Sequence, residues 1–140
     1  MSAILAPIHT ADLGKSTLRF FRSPLSGPDL PWHVHDDLVA CLGLPRDVRR
    51  QFRQMLIGGP FKADVRAVAA ADGIVTIAPH FAAQGLIGAA MQIGLASPAL
   101  EAEYVAAAIA AFKVITGDLP PMAALELAIA AANVSLESGL

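Results

Sequence analysis

The stretch PWHVHDDLVACLGLP, residues 31–45, contains the strand-to-helix transition on which the fold prediction rests. Trp32–Val34 predict a short β-strand. Asp36 stands where a helix N-cap is expected, because its carboxylate can accept hydrogen bonds from the free amides of the next turn. The apolar run that follows predicts about two helical turns, which Gly43 ends. Pro45 is then expected at the first position of a second helix.

The second helix is predicted from PRDVRRQFRQML, residues 45–56. Its apolar residues Val48, Phe52 and Met55 recur at helical spacing and share one face. Its arginines are spread over the rest of the helix, and we expect them to form a positive outer face. Two helices joined by a short glycine-containing turn are typical of a helix-turn-helix.

The flanking segments complete an α+β prediction with a small antiparallel sheet. Residues 1–16 are expected to be a flexible arm, 17–23 a first strand, and the region near 63–78 a hairpin that turns at Asp72-Gly73. The helix pair lies at 36–57, and three small-residue helices follow between 79 and 137. The glycines of GLIGAAMQIG, residues 85–94, are interpreted as sites of close helix contact. Residues 17–120 then form the domain, and a helix within 121–140 packs on it or dimerises.

Charge and cysteine content narrow the class of protein. Residues 1–66 hold nine basic and six acidic side chains, whereas residues 67–140 hold one and six, which predicts a basic working face joined to an acidic helical half. Cys41 is the single cysteine, so an internal disulfide is excluded, and we interpret it as a buried packing residue. Without a signal peptide or an apolar span, a cytoplasmic location and no membrane partner are expected.

Two histidines raise the possibility of a metal site. His33 and His35 would share one strand face, opposite Trp32 and Val34, and the His-x-His spacing occurs in zinc sites. A third ligand would have to come from His9, His80 or an aspartate, and nothing in the sequence brings these together. A structural role is therefore favoured, and a metal-dependent enzyme using His33, His35 and Asp36 is the minor alternative. No catalytic or nucleotide-binding motif is present, so we expect no enzyme and no cofactor.

Taken in order, these segments resemble the phage antirepressor family, whose N-terminal domain is shared with baculovirus repeated-ORF proteins (BRO-N). The matching residues within 18–120 are Pro31, Trp32, Val34, Asp36 or Asp37, Leu42 and Gly43, then Gly85-Leu86-Ile87, then Pro98, Tyr104 and Leu119-Pro120. This chain departs from the family where its hairpin and late helices are nearly all alanine instead of charged. The resemblance implies a regulatory protein of the phage or mobile-element type.

The basic helix carries the functional prediction, which is DNA binding through arginine contacts with phosphate oxygens and guanine edges. The expected DNA-binding residues are Arg46, Arg49, Arg50, Arg53, Lys62 and Arg66, and Arg19 and Arg22 could extend the surface. The alternative is a protein-binding module, an antirepressor or inhibitor, whose arginines meet an acidic partner. A homodimer formed through the apolar stripe Leu125, Ile129, Val134 and Leu136 would double the basic surface.

Overall fold

The computed structural model describes residues 4–25, 30–59, 64–117, 120–123, 125–127 and 129–130. Its strands are β1 (His9–Leu13), β2 (Ser16–Phe21), β3 (Trp32–Val34), β4 (Arg66–Ala70) and β5 (Gly73–Ala78). Its helices are α1 (His35–Leu42), α2 (Arg46–Gly58), α3 (His80–Gln92) and α4 (Pro98–Thr116). Further helical residues lie at 121–123, 125–127 and 129–130. This arrangement confirms the α+β class, the hairpin and the helix pair.

The strands form one antiparallel sheet in the order β1-β2-β3-β5-β4. Its first strand, β1, corrects the expectation of a flexible arm over residues 1–16. Ala11 and Leu13 of β1 alternate towards the core, and Gly14-Lys15 forms the two-residue turn into β2. Gly14 has φ +54°, a conformation that glycine adopts without steric cost. The turn therefore holds residues 9–13 in the sheet as an ordered strand.

An isolated bridge shows that the sheet is strongly coiled. Leu5 donates its backbone N–H to the carbonyl oxygen of Ala69 at 2.8 Å and forms a parallel bridge with Ala70 of β4. Four residues span at most about 14 Å of extended chain. In a flat sheet, Leu5 on the free side of β4 would lie about 24 Å from β1, which is five strand spacings. The two ends of the sheet must therefore curl towards each other.

The sheet has two apolar faces, which follow from the alternation of side chains along each strand. Leu18 and Phe20 pack with residues of α1, α3 and α4 in the main core. A second buried cluster includes Phe21, Trp32 and Ile77, and each of its described members comes from the sheet. That composition fits a sheet coiled around this second cluster.

The helix pair differs from the sequence prediction at its caps. α1 begins at His35, with Val34 as its N-cap and without a side-chain cap hydrogen bond, so the prediction that Asp36 is the N-cap is wrong. Asp36 and Asp37 instead occupy the first turn, where the helix dipole favours negative charge. Gly43 ends α1 with φ 64°, as predicted. Pro45 is the N-cap of α2, one position before the helix proper.

The glycines of α3 do not mediate close helix contact, which corrects their interpretation. A Cβ atom built on Gly85 or Gly88 would meet nothing within 4 Å.

Cys41 is buried, as predicted, and burial raises the pKa of its thiol to about 11. In the parts of the chain that the structure describes, no helix has the length and apolarity needed to cross a membrane.

Candidate nucleic-acid interface

A groove of about 530 Å³ lies between α1 and α2, and we call it the arginine groove. From α1 it is lined by His35, Asp36 and Val39. From α2 it is lined by the arginines Arg46, Arg49, Arg50 and Arg53. The structure thus brings together four of the six predicted DNA-binding residues, and all four arginines are exposed.

The arginines gather because of their spacing on α2. At 3.6 residues per turn, positions 46, 49, 50 and 53 fall within an arc of about 100°. Val48 and Phe52 pack against the main core and Leu56 joins a small cluster with α3, so the adjacent face anchors the helix. Met55 was predicted as the last apolar residue of the buried face, but it is 55% exposed, and Leu56 is the buried residue there. The arginines therefore form one stripe beside α1 and are not spread over the helix.

The electrostatics of the arginine groove are strongly positive, because four guanidinium groups face one carboxylate. That carboxylate is Asp36, whose Oδ1 lies 3.3 Å from Nη1 of Arg53. The side chains of Arg53 and Asp36 are 44% and 67% exposed, so water screens the pair and weakens it.

His35 lines the arginine groove next to this ion pair. Its side chain is 1% exposed, and its Nδ1 is buried without a hydrogen-bond partner among the described residues. Burial lowers the pKa of His35, the nearby charge of Arg53 lowers it further, and Asp36 opposes both. His35 is therefore a neutral imidazole near pH 7.

Of the remaining basic residues of the prediction, those that the structure describes do not line the arginine groove. Arg66 is exposed on β4, where its Nη1 donates to the carbonyl oxygen of Val65 at 2.9 Å, and it does not line the arginine groove. Lys62 lies outside the described residues. Arg22 is exposed just after β2.

Arg19 does not extend the basic surface, because its guanidinium is bound by two carboxylates. Its Nε and Nη2 contact both oxygens of Asp37 at 2.8 and 3.0 Å, and its Nη1 lies 2.8 Å from Oδ1 of Asp72. These hydrogen bonds raise the pKa of Arg19 above its usual value. The sequence contained no signal that paired these residues, which are distant along the chain.

The two histidines of PWHVHDDL do not share a face, because β3 ends at Val34 and His35 belongs to α1. His33 packs edge-on against Tyr104 with ring centroids 6.3 Å apart, and burial lowers its pKa to about 3. Nδ1 of His80 lies 3.1 Å from the Tyr104 hydroxyl. Within the described ranges, no three His, Cys, Asp or Glu side chains are grouped so as to hold a metal ion.

Comparison of the chain with protein-family models, curated proteins and solved structures found no match. The arginine groove is therefore the feature of the molecule from which a function can be inferred.

Proposed function

We propose that this chain is a non-enzymatic regulatory protein that binds duplex DNA through the arginines of α2. The observation that carries the proposal is the stripe of Arg46, Arg49, Arg50 and Arg53 along one exposed groove. Guanidinium groups donate in a planar fork that suits phosphate oxygens and the O6 and N7 atoms of guanine. A cluster of four such forks is well suited to a phosphate backbone.

The arrangement of α1 and α2 supports this function. A turn of three residues, 43–45, joins the helices, and α2 is exposed apart from its anchoring face. The arginines lie within the first eight of the 13 residues of α2, from Arg46 to Arg53. In helix-turn-helix proteins, the N-terminal residues of the second helix contact the DNA.

The resemblance to phage antirepressors supports a regulatory role. We also propose a cytoplasmic location, because the single cysteine is buried and unpaired.

We also propose a homodimer. Met122, Leu125 and Ile129 are more than half exposed and are available to pack against a second copy. Val134 and Leu136 of the predicted stripe lie outside the described residues.

The proposal is tested by fluorescence anisotropy with a labelled random-sequence duplex at about 50 mM and about 200 mM salt. Wild-type protein should bind at the lower salt concentration and lose affinity at the higher one. Arg49→Ala/Arg53→Ala should bind more weakly and with a flatter salt dependence. Lys113→Ala on α4 removes a positive charge outside the groove and serves as the control. Absence of binding at low salt, or an unchanged double variant, would overturn the proposal.

A second candidate function is the binding of an acidic protein, and one observation favours it. On its other side, α2 borders an apolar groove of about 200 Å³ against α3, lined by Phe52, Met55, Leu56, Ala82, Gly85, Leu86 and Ala89. A basic groove beside an apolar one fits an acidic amphipathic peptide. Pull-down from nuclease-treated lysate, compared between wild-type protein and the double variant, would reveal an arginine-dependent acidic partner.

A further inference from the structure

We propose that His35 is the hydrogen-bond donor that positions a DNA backbone phosphate in the arginine groove. The inference rests on the proposed DNA-binding function and deepens it. The ligand of the groove is then a phosphodiester oxygen of DNA. It is held by the four arginines and also by the neutral imidazole of His35.

His35 has a buried ring nitrogen, Nδ1, without a hydrogen-bond partner among the described residues. A buried polar atom without a hydrogen bond costs free energy, and folded proteins contain few of them. Two such atoms occur among the described residues, Nδ1 of His33 and Nδ1 of His35. His33 faces Tyr104 within the core, whereas His35 lines the arginine groove. A ligand in the groove therefore lies next to the residue His35 and not next to His33.

The charges around His35 favour an anionic ligand. Burial lowers the pKa of His35, Asp36 raises it and Arg53 lowers it, and the other three arginines line the same groove. The neutral ring can still carry a proton on Nδ1 and donate it to an anion. A phosphate oxygen accepts from this N–H and from the guanidinium forks together, whereas a cation would be repelled by the arginines.

Access to Nδ1 of His35 requires a movement of α2, because the atom is buried beneath the groove surface. Among the described residues, α2 packs onto the rest of the domain through Val48, Phe52 and Leu56. The inference includes an outward shift of α2 on ligand binding that opens Nδ1 to the groove. In the same step Arg53 exchanges Asp36 for the phosphate, since their ion pair is exposed and long at 3.3 Å.

The test follows the His35 ring by long-range proton–nitrogen NMR near neutral pH. The probes are inorganic phosphate and, separately, a random-sequence duplex. We expect both to shift the Nδ1 signal and to give the tautomer protonated at Nδ1. The ring of His33 should not respond, which makes it an internal control.

Two substitutions provide an independent measurement by anisotropy with the same duplex. His35→Leu should weaken binding about tenfold at each salt concentration, which is typical for the loss of one hydrogen bond to a charged group. Its salt slope should stay that of the wild type, because no cation is lost. His35→Asn places an amide donor near the position of Nδ1 and should recover part of the affinity.

Each outcome separates this inference from the function on which it rests. One outcome is that binding is salt-dependent and requires the arginines, but the His35 signal does not change and His35→Leu binds as tightly as the wild type. That outcome overturns the inference about His35 and leaves the proposal of DNA binding intact. Absence of duplex binding at low salt overturns both. A response to phosphate and to duplex, together with the loss in His35→Leu, supports both.

Discussion

Asp36 of α1 and Arg53 of α2 face each other across the arginine groove, with Oδ1 of the carboxylate 3.3 Å from Nη1 of the guanidinium. This ion pair connects the two helices of the proposed DNA-binding unit. Asp36 is the one carboxylate among the described residues that line the groove. In the free protein it pairs with Arg53, and in the proposed complex it gives up that arginine and repels the phosphate backbone.

Asp36→Asn should therefore strengthen DNA binding. An exposed ion pair contributes about 0.5 kcal/mol, so its loss should raise the affinity about twofold, and removing the repulsion should add to that. Because Arg53 contacts phosphate in the wild-type complex as well, the number of neutralised phosphates and hence the salt slope should change little. Anisotropy with a labelled duplex measures both quantities. A weaker complex would show that Asp36 supports the binding surface instead of opposing it.

Asp37, the neighbour of Asp36, should matter for stability and not for DNA binding. Its carboxylate accepts from the backbone N–H, Nε and Nη2 of Arg19, and the two side chains are 16% and 22% exposed. Charge-assisted hydrogen bonds of this kind are the stronger ones, so Asp37→Asn should lower the free energy of unfolding by about 2 kcal/mol. Urea denaturation measures the change. Asp72→Asn removes the exposed partner of Arg19 and should be nearly neutral, so equal losses in the two variants would contradict this assignment.

These adjacent aspartates show what the sequence could and could not predict. The helix around them followed from the apolar run and from Gly43, which are local signals. The partner of each aspartate depends on side chains 17 and 18 residues away, brought close by folding. Helical spacing likewise places the four arginines on one side of α2, but it does not show that this side meets α1.

Acid should destabilise the protein through its buried histidines. The pKa of His33 is lowered from about 6.5 in the unfolded chain to about 3, mainly by burial. Below pH 6.5 the His33 imidazole binds a proton in the unfolded state but not in the folded state. The free energy of unfolding therefore falls as the pH drops. This one group contributes a slope of up to about 1.4 kcal/mol per pH unit.

His33→Leu should remove that contribution. Urea denaturation at several pH values between about 6.5 and about 3 should show a slope smaller by about one proton than that of the wild type. The burial of His35 and His80 lowers their pKa values too, so a residual slope of the same sign should remain. An identical pH dependence in the variant would mean that His33 is protonated inside the fold.

Two glycines should respond in opposite directions to alanine. At Gly14, with φ +54°, an added Cβ would lie 2.5 Å from the carbonyl oxygen of Cys41, so Gly14→Ala should cost at least about 1 kcal/mol. At Gly85, exposed on α3, a Cβ meets nothing, and alanine should stabilise the helix by up to about 1 kcal/mol. Thermal unfolding of both variants checks the pair. Destabilisation by Gly85→Ala would contradict the described packing of α3.

Strand β1 was not predicted from the sequence, because its local pattern is weak. Residues 9–13, HTADL, contain one large apolar side chain, Leu13, so their alternation is weak. The turn signal was Gly14-Lys15, directly before the stronger strand β2. The pairing of Leu5 with β4 depends on the coiling of the whole sheet, which no local pattern encodes.

The most direct test of the central claim is the slope of log K against log salt concentration for duplex binding, measured for wild-type protein and for single alanine variants of the groove arginines. If Arg46, Arg49, Arg50 and Arg53 each neutralise a phosphate, each substitution should reduce the slope by about 0.9. Lys113→Ala, the matched loss of one charge on α4, should leave it unchanged. Equal slopes in wild type and in the four arginine variants would contradict the assignment of the arginine groove as the DNA-binding site.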